Sequence, residues 1–207
     1  MYNTFIWDFD GTIFDSYPHI AASMYKMAKI HGIKGTLQEM RDALEIDYST
    51  AYKVFSLTDE QIKEFRGYEL EYDFEPKAVP FNKTEEVLKT VVDYGYKNYI
   101  YTHRAKESTF YYLEKYDLMK YFSGFITADD KFPLKPAPTA LLALSEKFNI
   151  DKSKAIMVGD REIDVKAGVN AGMEGCLISK KAKESCAKYI FTDIEEILSI
   201  IKIDRKF

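Results

Sequence analysis

Cysteine is scarce in this chain: among 207 residues only Cys176 and Cys186 carry a thiol. Two thiols cannot build a disulfide scaffold, and their separation suits neither a redox pair nor a zinc site. The expectation is two reduced thiols in a cytoplasmic protein. No basic run occurs, and the formal net charge of -4 argues against nucleic acid as the main partner. No apolar stretch approaches the roughly 20 residues needed to cross a bilayer, so no membrane partner is expected. Internal repeats and low-complexity tracts are also missing.

What is present is an ordinary globular balance of 46% hydrophobic and 30% charged residues. The length suffices for one substantial core, or a core with a small second domain. Sixteen tyrosines are scattered along the chain, as expected of rings that pack while their hydroxyls stay wet.

The hydrophobic pattern divides the chain into two styles. After an apolar, β-prone start the pattern turns helical. Ile20, Met24, Met27, Ala28 and His31 share one face until Gly32, with further short helices expected at 38–44, 49–55 and 60–72. Thr58 followed by Gln61 has the form of a capping box. No convincing strand falls between Ser16 and Pro80. Beyond Pro80 helices and strands alternate. Strands are expected at 99–102, 124–127, 155–158, 175–178 and 189–191, with helices at 83–94, 105–116, 139–148, 163–171 and from Asp193 through Ile201. Such alternation implies right-handed crossovers and a mostly parallel sheet. The expected class is α/β, with a core formed by residues 1–15 and 81–207 and a helical insert at 16–80.

Chemistry is concentrated at the end of the first strand. Thr4-Phe5-Ile6-Trp7 leads into Asp8-Phe9-Asp10-Gly11, and a strand end in an α/β sheet is where ligands are usually held. Two carboxylates so close repel each other unless a cation lies between them or one carries a proton. That makes Asp8 and Asp10 candidates for Mg²⁺-assisted chemistry. A calcium-binding EF-hand loop is the competing reading, but the glutamate that closes such a loop is absent and a strand stands where a helix should precede it.

The stretch Asp8-Phe9-Asp10-Gly11-Thr12-Ile13-Phe14-Asp15-Ser16 resembles the first motif of the haloacid dehalogenase-like (HAD) hydrolases. The remaining motifs of that superfamily follow in order: Thr102 after Tyr99-Ile100-Tyr101, Lys135 before Pro136, and Gly159-Asp160 with Asp164 four residues on. Taken singly, Thr102 could merely finish a strand, Lys135 could be a solvated charge, Asp160 a cap and Asp164 an exposed helix residue. The order of all four carries the resemblance, which covers nearly the whole chain and is most similar to the phosphoglycolate phosphatase-like branch.

The resemblance implies a parallel-sheet, Rossmann-like core with an inserted all-helical cap, and a Mg²⁺-dependent phosphatase of small phosphorylated metabolites. It implies that Asp8 is the nucleophile and that Asp10 is the general acid and base, which requires surroundings that raise its pKa. Thr102, His103 and Lys135 would bind the phosphoryl group. Asp8, the Asp10 carbonyl and Asp160 would hold Mg²⁺, with Asp164 ordering the metal's waters. His103 and Arg104 stand where members often have Asn and Lys. Haloacid dehalogenases and phosphonoacetaldehyde hydrolases lack an acid at the position of Asp10, so its presence favours phosphate esters. A sugar phosphomutase of the β-phosphoglucomutase type shares the motifs and stays open, as does a non-catalytic binding module.

The insert carries eight Lys and Arg against eleven Asp and Glu, which suits small or weakly charged leaving groups. Arg41, Tyr48, Ser49, Tyr52 and Lys53 are candidates to contact them, and His19 is close enough to the hinge to reach a cleft. With Asp8 so early, no cleavable leader is expected ahead of it. A monomer or small homo-oligomer is expected.

Overall fold

The computed structural model describes residues 2–72, 74–181 and 184–202. It divides into two compact units: residues 1–14 with 80–207, and residues 15–79. The first contains the sheet. Its strands are β1 (Thr4–Trp7), β4 (Lys97–Tyr101), β5 (Phe122–Ile126), β6 (Ala155–Gly159), β7 (Glu174–Ile178) and β8 (Tyr189–Phe191). They lie in the order β5-β4-β1-β6-β7-β8, and every neighbouring pair is parallel. The two remaining strands, β2 (Phe14–Asp15) and β3 (Val79–Pro80), form a separate two-stranded sheet.

β1 is buried along its whole length, which explains its unbroken apolar sequence: helices cover both faces of a parallel sheet. The helices of this unit are α5 (Thr84–Asp93), α6 (Lys106–Lys115), α7 (Thr139–Phe148), α8 (Glu162–Asn170) and α9 (Ile197–Lys202). On one side Ile6, Tyr99, Tyr101, Ile126 and Met157 pack with Leu141 and Leu144 of α7 and Ala167 of α8. On β1, the Trp7 indole N–H donates to Asn98 Oδ1 at 2.9 Å. The Asn98 amide in turn donates to the carbonyls of Leu88 and Tyr121. This buried side chain ties β1, α5 and the approach to β5 together with every polar atom partnered.

The order of connections sets the position of the site. From β1 the sheet grows outward through β4 and β5; the chain then returns to lay β6 on the other side of β1 and continues to β7 and β8. Between β1 and β6 the direction of growth reverses, and the carboxyl ends of strands at such a switch point frame a crevice for ligands. Trp7 is level with both Ile100 and Val158. The residues just beyond β1, β4 and β6 therefore leave the sheet at one edge.

The second unit is helical: α1 (Tyr17–Ile30), α2 (Leu37–Ile46), α3 (Tyr48–Val54) and α4 (Asp59–Tyr68). Ile20, Met24, Met27 and Ala28 of α1 join Met40, Leu44, Ala51 and Phe65 in one core. Thr58 and Gln61 form the capping box, and Thr36 with Glu39 forms a second at the start of α2. α4 stops at Tyr68 and does not reach Tyr72. Gly67 weakens its last turn, and Leu70 N–H bonds back three residues to Gly67. His31 does not join the apolar face; it lies exposed at the end of α1, 2.7 Å from Glu64. His19 is fully buried inside this unit, with its ring nitrogens 3.0 Å from the Pro76 carbonyl and 3.1 Å from that of Glu69. It is thus a tie between α1 and the segment after α4. Tyr48 and Tyr52 also face inward, packing on Phe65, and the Tyr48 hydroxyl donates to Glu69 at 2.6 Å.

Candidate active site

Asp8 is the first residue beyond β1, held by its own N–H on the Val158 carbonyl at 2.8 Å. Gly11 then takes a positive φ of 75°, a conformation that costs glycine little, and Gly11 N–H bonds to the Phe14 carbonyl at 2.8 Å. The tight loop leaves Asp8 buried at 2% exposure and Asp10 partly open.

Lys135 is the hub. Its side chain is fully buried, and its ammonium has three acceptors for three protons: Asp8 Oδ1 at 2.6 Å, Asp164 Oδ1 at 2.8 Å and the Tyr101 carbonyl at 2.9 Å. The Tyr101 ring lies beneath it, 4.5 Å from the nitrogen. Lys135 comes from the loop four residues ahead of α7. The fold thus brings together residues 127 and 29 positions apart in sequence.

Asp160 follows β6, and Asp164 sits in the first turn of α8. Carboxylate oxygens of Asp8, Asp160 and Asp164 lie within 4.8 Å of one another. Gly159 makes this possible, because a Cβ there would fall 2.2 Å from Asp164 Cβ. Arg161 is close to both acids, its Nε 3.8 Å from Asp160 and 3.9 Å from Asp164.

The electrostatics follow from burial and these neighbours. Burial pushes the Asp8 carboxyl up to about 6, against the pull of Lys135. Asp164 is also buried, yet Lys135, Arg161 and the hydrogen bonds they give outweigh that cost and hold it below the usual carboxylate range. Lys135 is raised: burial alone would lower it, but Asp164 and Asp8 more than compensate.

Asp8 Oδ2 is buried and accepts no hydrogen bond among the described residues. A buried carboxylate oxygen without a donor is costly, and a hard cation coordinated by carboxylate oxygens removes that cost. The donor set therefore fits a divalent ion. Asp164 fits it less well, since Oδ1 accepts from Lys135 and Oδ2 from the Arg161 N–H at 3.1 Å. Its geometry is that of a residue fixing Lys135 and the start of α8.

Thr102 follows β4 and is buried, its hydroxyl accepting the Arg104 N–H at 3.1 Å. His103 faces Lys135 from the other side: the Lys135 backbone N–H donates to Nε2 at 3.1 Å. That nitrogen is therefore the unprotonated one. Burial and the charge of Lys135 hold the imidazole down at about 4, so it is neutral near pH 7.

A general acid at Asp10 needs surroundings that favour its proton. The structure instead places Arg104 against it, with Nη2 and Nε reaching Oδ1 at 2.8 and 3.0 Å and Nε reaching Oδ2 at 3.3 Å. This changes the charge inventory as well. The acids do not depend on one ammonium alone, because Arg104 and Arg161 stand beside Lys135. The motif around Thr102 marks the position of Arg104 but not its partner, and nothing in the local pattern marks Arg161; each is a single residue just past a strand end, positioned by loop geometry.

A protein-family profile described as haloacid dehalogenase-like hydrolase matches residues 5–178. The match includes every motif residue of the cluster, and the chain belongs to the haloacid dehalogenase-like hydrolases. Among curated proteins it is 26% identical to a pyrophosphatase PpaX from Bacillus pumilus (strain SAFR-032), over 98% of this chain and 97% of that one. Among solved structures, a HAD-superfamily hydrolase (subfamily IA, variant 1) from Geobacter sulfurreducens PCA aligns with TM-score 0.78 at 24% identity, covering 97% of this chain and 100% of the other. A predicted phosphoglycolate phosphatase from Haemophilus somnus 129pt aligns with TM-score 0.84 at 19% identity, covering 96% and 97%. These two structural likenesses speak to the fold. Among the described residues no helix is long and apolar enough to cross a membrane.

Proposed function

We propose that this chain is a Mg²⁺-dependent phosphatase that hydrolyses a small phosphomonoester through a phosphorylated Asp8. The observation that carries the reading is the buried Lys135 ammonium held between Asp8 and Asp164, with Asp160 alongside, at the switch point of the sheet. A carboxylate nucleophile divides a displacement at phosphorus into two steps. In the first, Asp8 attacks phosphorus, the bond to the leaving oxygen breaks, and Asp10, which must carry its proton against the adjacent charge of Arg104, gives that oxygen a proton. In the second, water attacks phosphorus and Asp10 takes the water's proton; the bond to Asp8 breaks, releasing phosphate and the free carboxylate.

Lys135 neutralises charge on the transferring group and on Asp8. The Thr102 hydroxyl donates to a phosphoryl oxygen, while His103, through the Lys135 N–H, fixes the loop that presents the ammonium. Asp8, Asp160 and the Asp10 carbonyl would hold Mg²⁺, and the bound ion would supply charge for the equatorial oxygens. The helical unit, residues 15–79, acts as the cap that selects the leaving group.

The test is turnover of an aryl phosphate with and without Mg²⁺, followed by a panel of phosphoglycolate, sugar phosphates, nucleotides and inorganic pyrophosphate. The pyrophosphate arm is motivated by the name of the curated relative. Activity abolished by chelation and restored by Mg²⁺ is expected. No turnover of any panel member in the presence of Mg²⁺ would refute the reading.

A further inference from the structure

The guanidinium of Arg104 is a built feature. It is 6% exposed and lies over two rings, 5.3 Å from the centre of Phe9 and 5.5 Å from that of Tyr112. Its Nη1 donates to Ser108 Oγ at 3.2 Å, and its backbone N–H to Thr102 Oγ1. Its carbonyl accepts the Ala128 N–H at 3.0 Å. The residue is thus anchored at its backbone, along its plane and at one edge. The remaining edge meets Asp10, with Nη2 and Nε converging on Oδ1 and Nε also reaching Oδ2 at 3.3 Å. A planar fork fixes both the position and the rotation of a carboxyl group, which a lysine's point charge does not.

We propose that Arg104 is a positioning residue for Asp10. It grips the carboxyl chiefly at Oδ1, with a longer Nε contact to Oδ2, and so fixes the rotation in which Asp10 exchanges a proton with the leaving group and with water. The inference rests on the proposed role of Asp10. It requires that Arg104 act through Asp10, so its loss should resemble loss of that acid and nothing more. Phe9 and Tyr112 hold the fork in place, so the carboxyl keeps its rotation while the loop 8–14 carries it.

A leaving-group series tests this. General acid assistance matters most when the departing oxygen is a poor leaving group, and is worth on the order of 10²-fold or more there. The probes are aryl phosphates with leaving groups from acidic to weakly acidic phenols, plus one alkyl phosphate, each with Mg²⁺. The readout is the slope of log kcat/KM against leaving-group pKa for wild type, Asp10→Asn, Arg104→Gln, Arg104→Lys and the double variant Asp10→Asn/Arg104→Gln.

Arg104→Gln should steepen the slope toward that of Asp10→Asn, losing at least about tenfold on the alkyl phosphate while changing little on the most acidic phenol. The double variant should be no slower than Asp10→Asn alone, and Arg104→Lys should recover only part of the slope. A uniform loss across the series, with the wild-type slope retained, overturns the proposal. So does a double variant in which the two losses multiply. If Asp10→Asn itself keeps the wild-type slope, the role of Asp10 fails instead. Should Arg104→Gln not fold, the slope of Arg104→Lys decides: unchanged from wild type, it overturns the clamp.

Discussion

At the scale of single residues, Lys135 joins stability to chemistry. It is fully buried with two carboxylates on its ammonium. Removing one member of a buried ion group leaves its partners short of a counter-charge, at a cost of about 3–5 kcal/mol. Lys135→Met should therefore lower unfolding stability by that order as well as abolish turnover, measured by urea denaturation. A variant as stable as wild type would mean that the buried charges are balanced in another way.

His103 gives a pH signature. Its folded-state value is about 4 against an ordinary 6.5. Between those values the unfolded chain binds a proton that the folded chain refuses, so stability falls as pH drops below 6.5. At pH 5 this one group costs about 1–2 kcal/mol. His103→Asn should lose correspondingly less stability than wild type between pH 7 and pH 5. Parallel acid profiles for the two proteins would contradict the assignment.

Some of this was legible beforehand. Asp8, Lys135 and Asp160 could be named because each sits at a strand end or in a short motif with recognisable order. The hold of Arg104 on Asp10 could not, because that contact spans 94 positions and depends on how one loop packs against Phe9 and Tyr112. The engagement of Asp164 by Lys135 was hidden for the same reason.

At the scale of elements, the turn from β6 into α8 depends on a missing side chain. A Cβ at Gly159 would lie 2.2 Å from Asp164 Cβ, too close for either backbone to stay in place. Gly159→Ala should push α8 and Asp164 away from Lys135, costing about 1–3 kcal/mol of stability from overpacking and most of the activity. A crystal structure of the variant with Asp164 still on Lys135 would refute this.

Helix α7 and strand β8 fall where hydrophobic spacing places them, because each is a clean apolar segment between turns. Strands β2 and β3 were invisible, since two residues carry no periodicity and Pro80 argues against a strand. α4 was overestimated because its amphipathic pattern runs on past the point where Gly67 frays the turn.

At the scale of the molecule, the chain inserts a helical unit between the first strand and the rest of the sheet. Each unit has a buried apolar cluster of its own. If residues 15–79 select the leaving group, then substitutions of exposed polar residues there should redistribute rates among substrates while leaving Asp8 phosphorylation by a small aryl phosphate nearly unchanged. The panel of phosphate esters measures this; uniform loss on every substrate would argue against a selecting role.

The proposed phosphorylation of Asp8 can be trapped during turnover. Borohydride reduces an acyl phosphate to the alcohol, so treating enzyme, Mg²⁺ and aryl phosphate at steady state should convert Asp8 to homoserine, read by peptide mass spectrometry. That conversion is expected at position 8 in wild type, and none without substrate or in Asp8→Asn. Turnover with position 8 recovered only as unmodified aspartate, alongside trapped label on another residue, would contradict it.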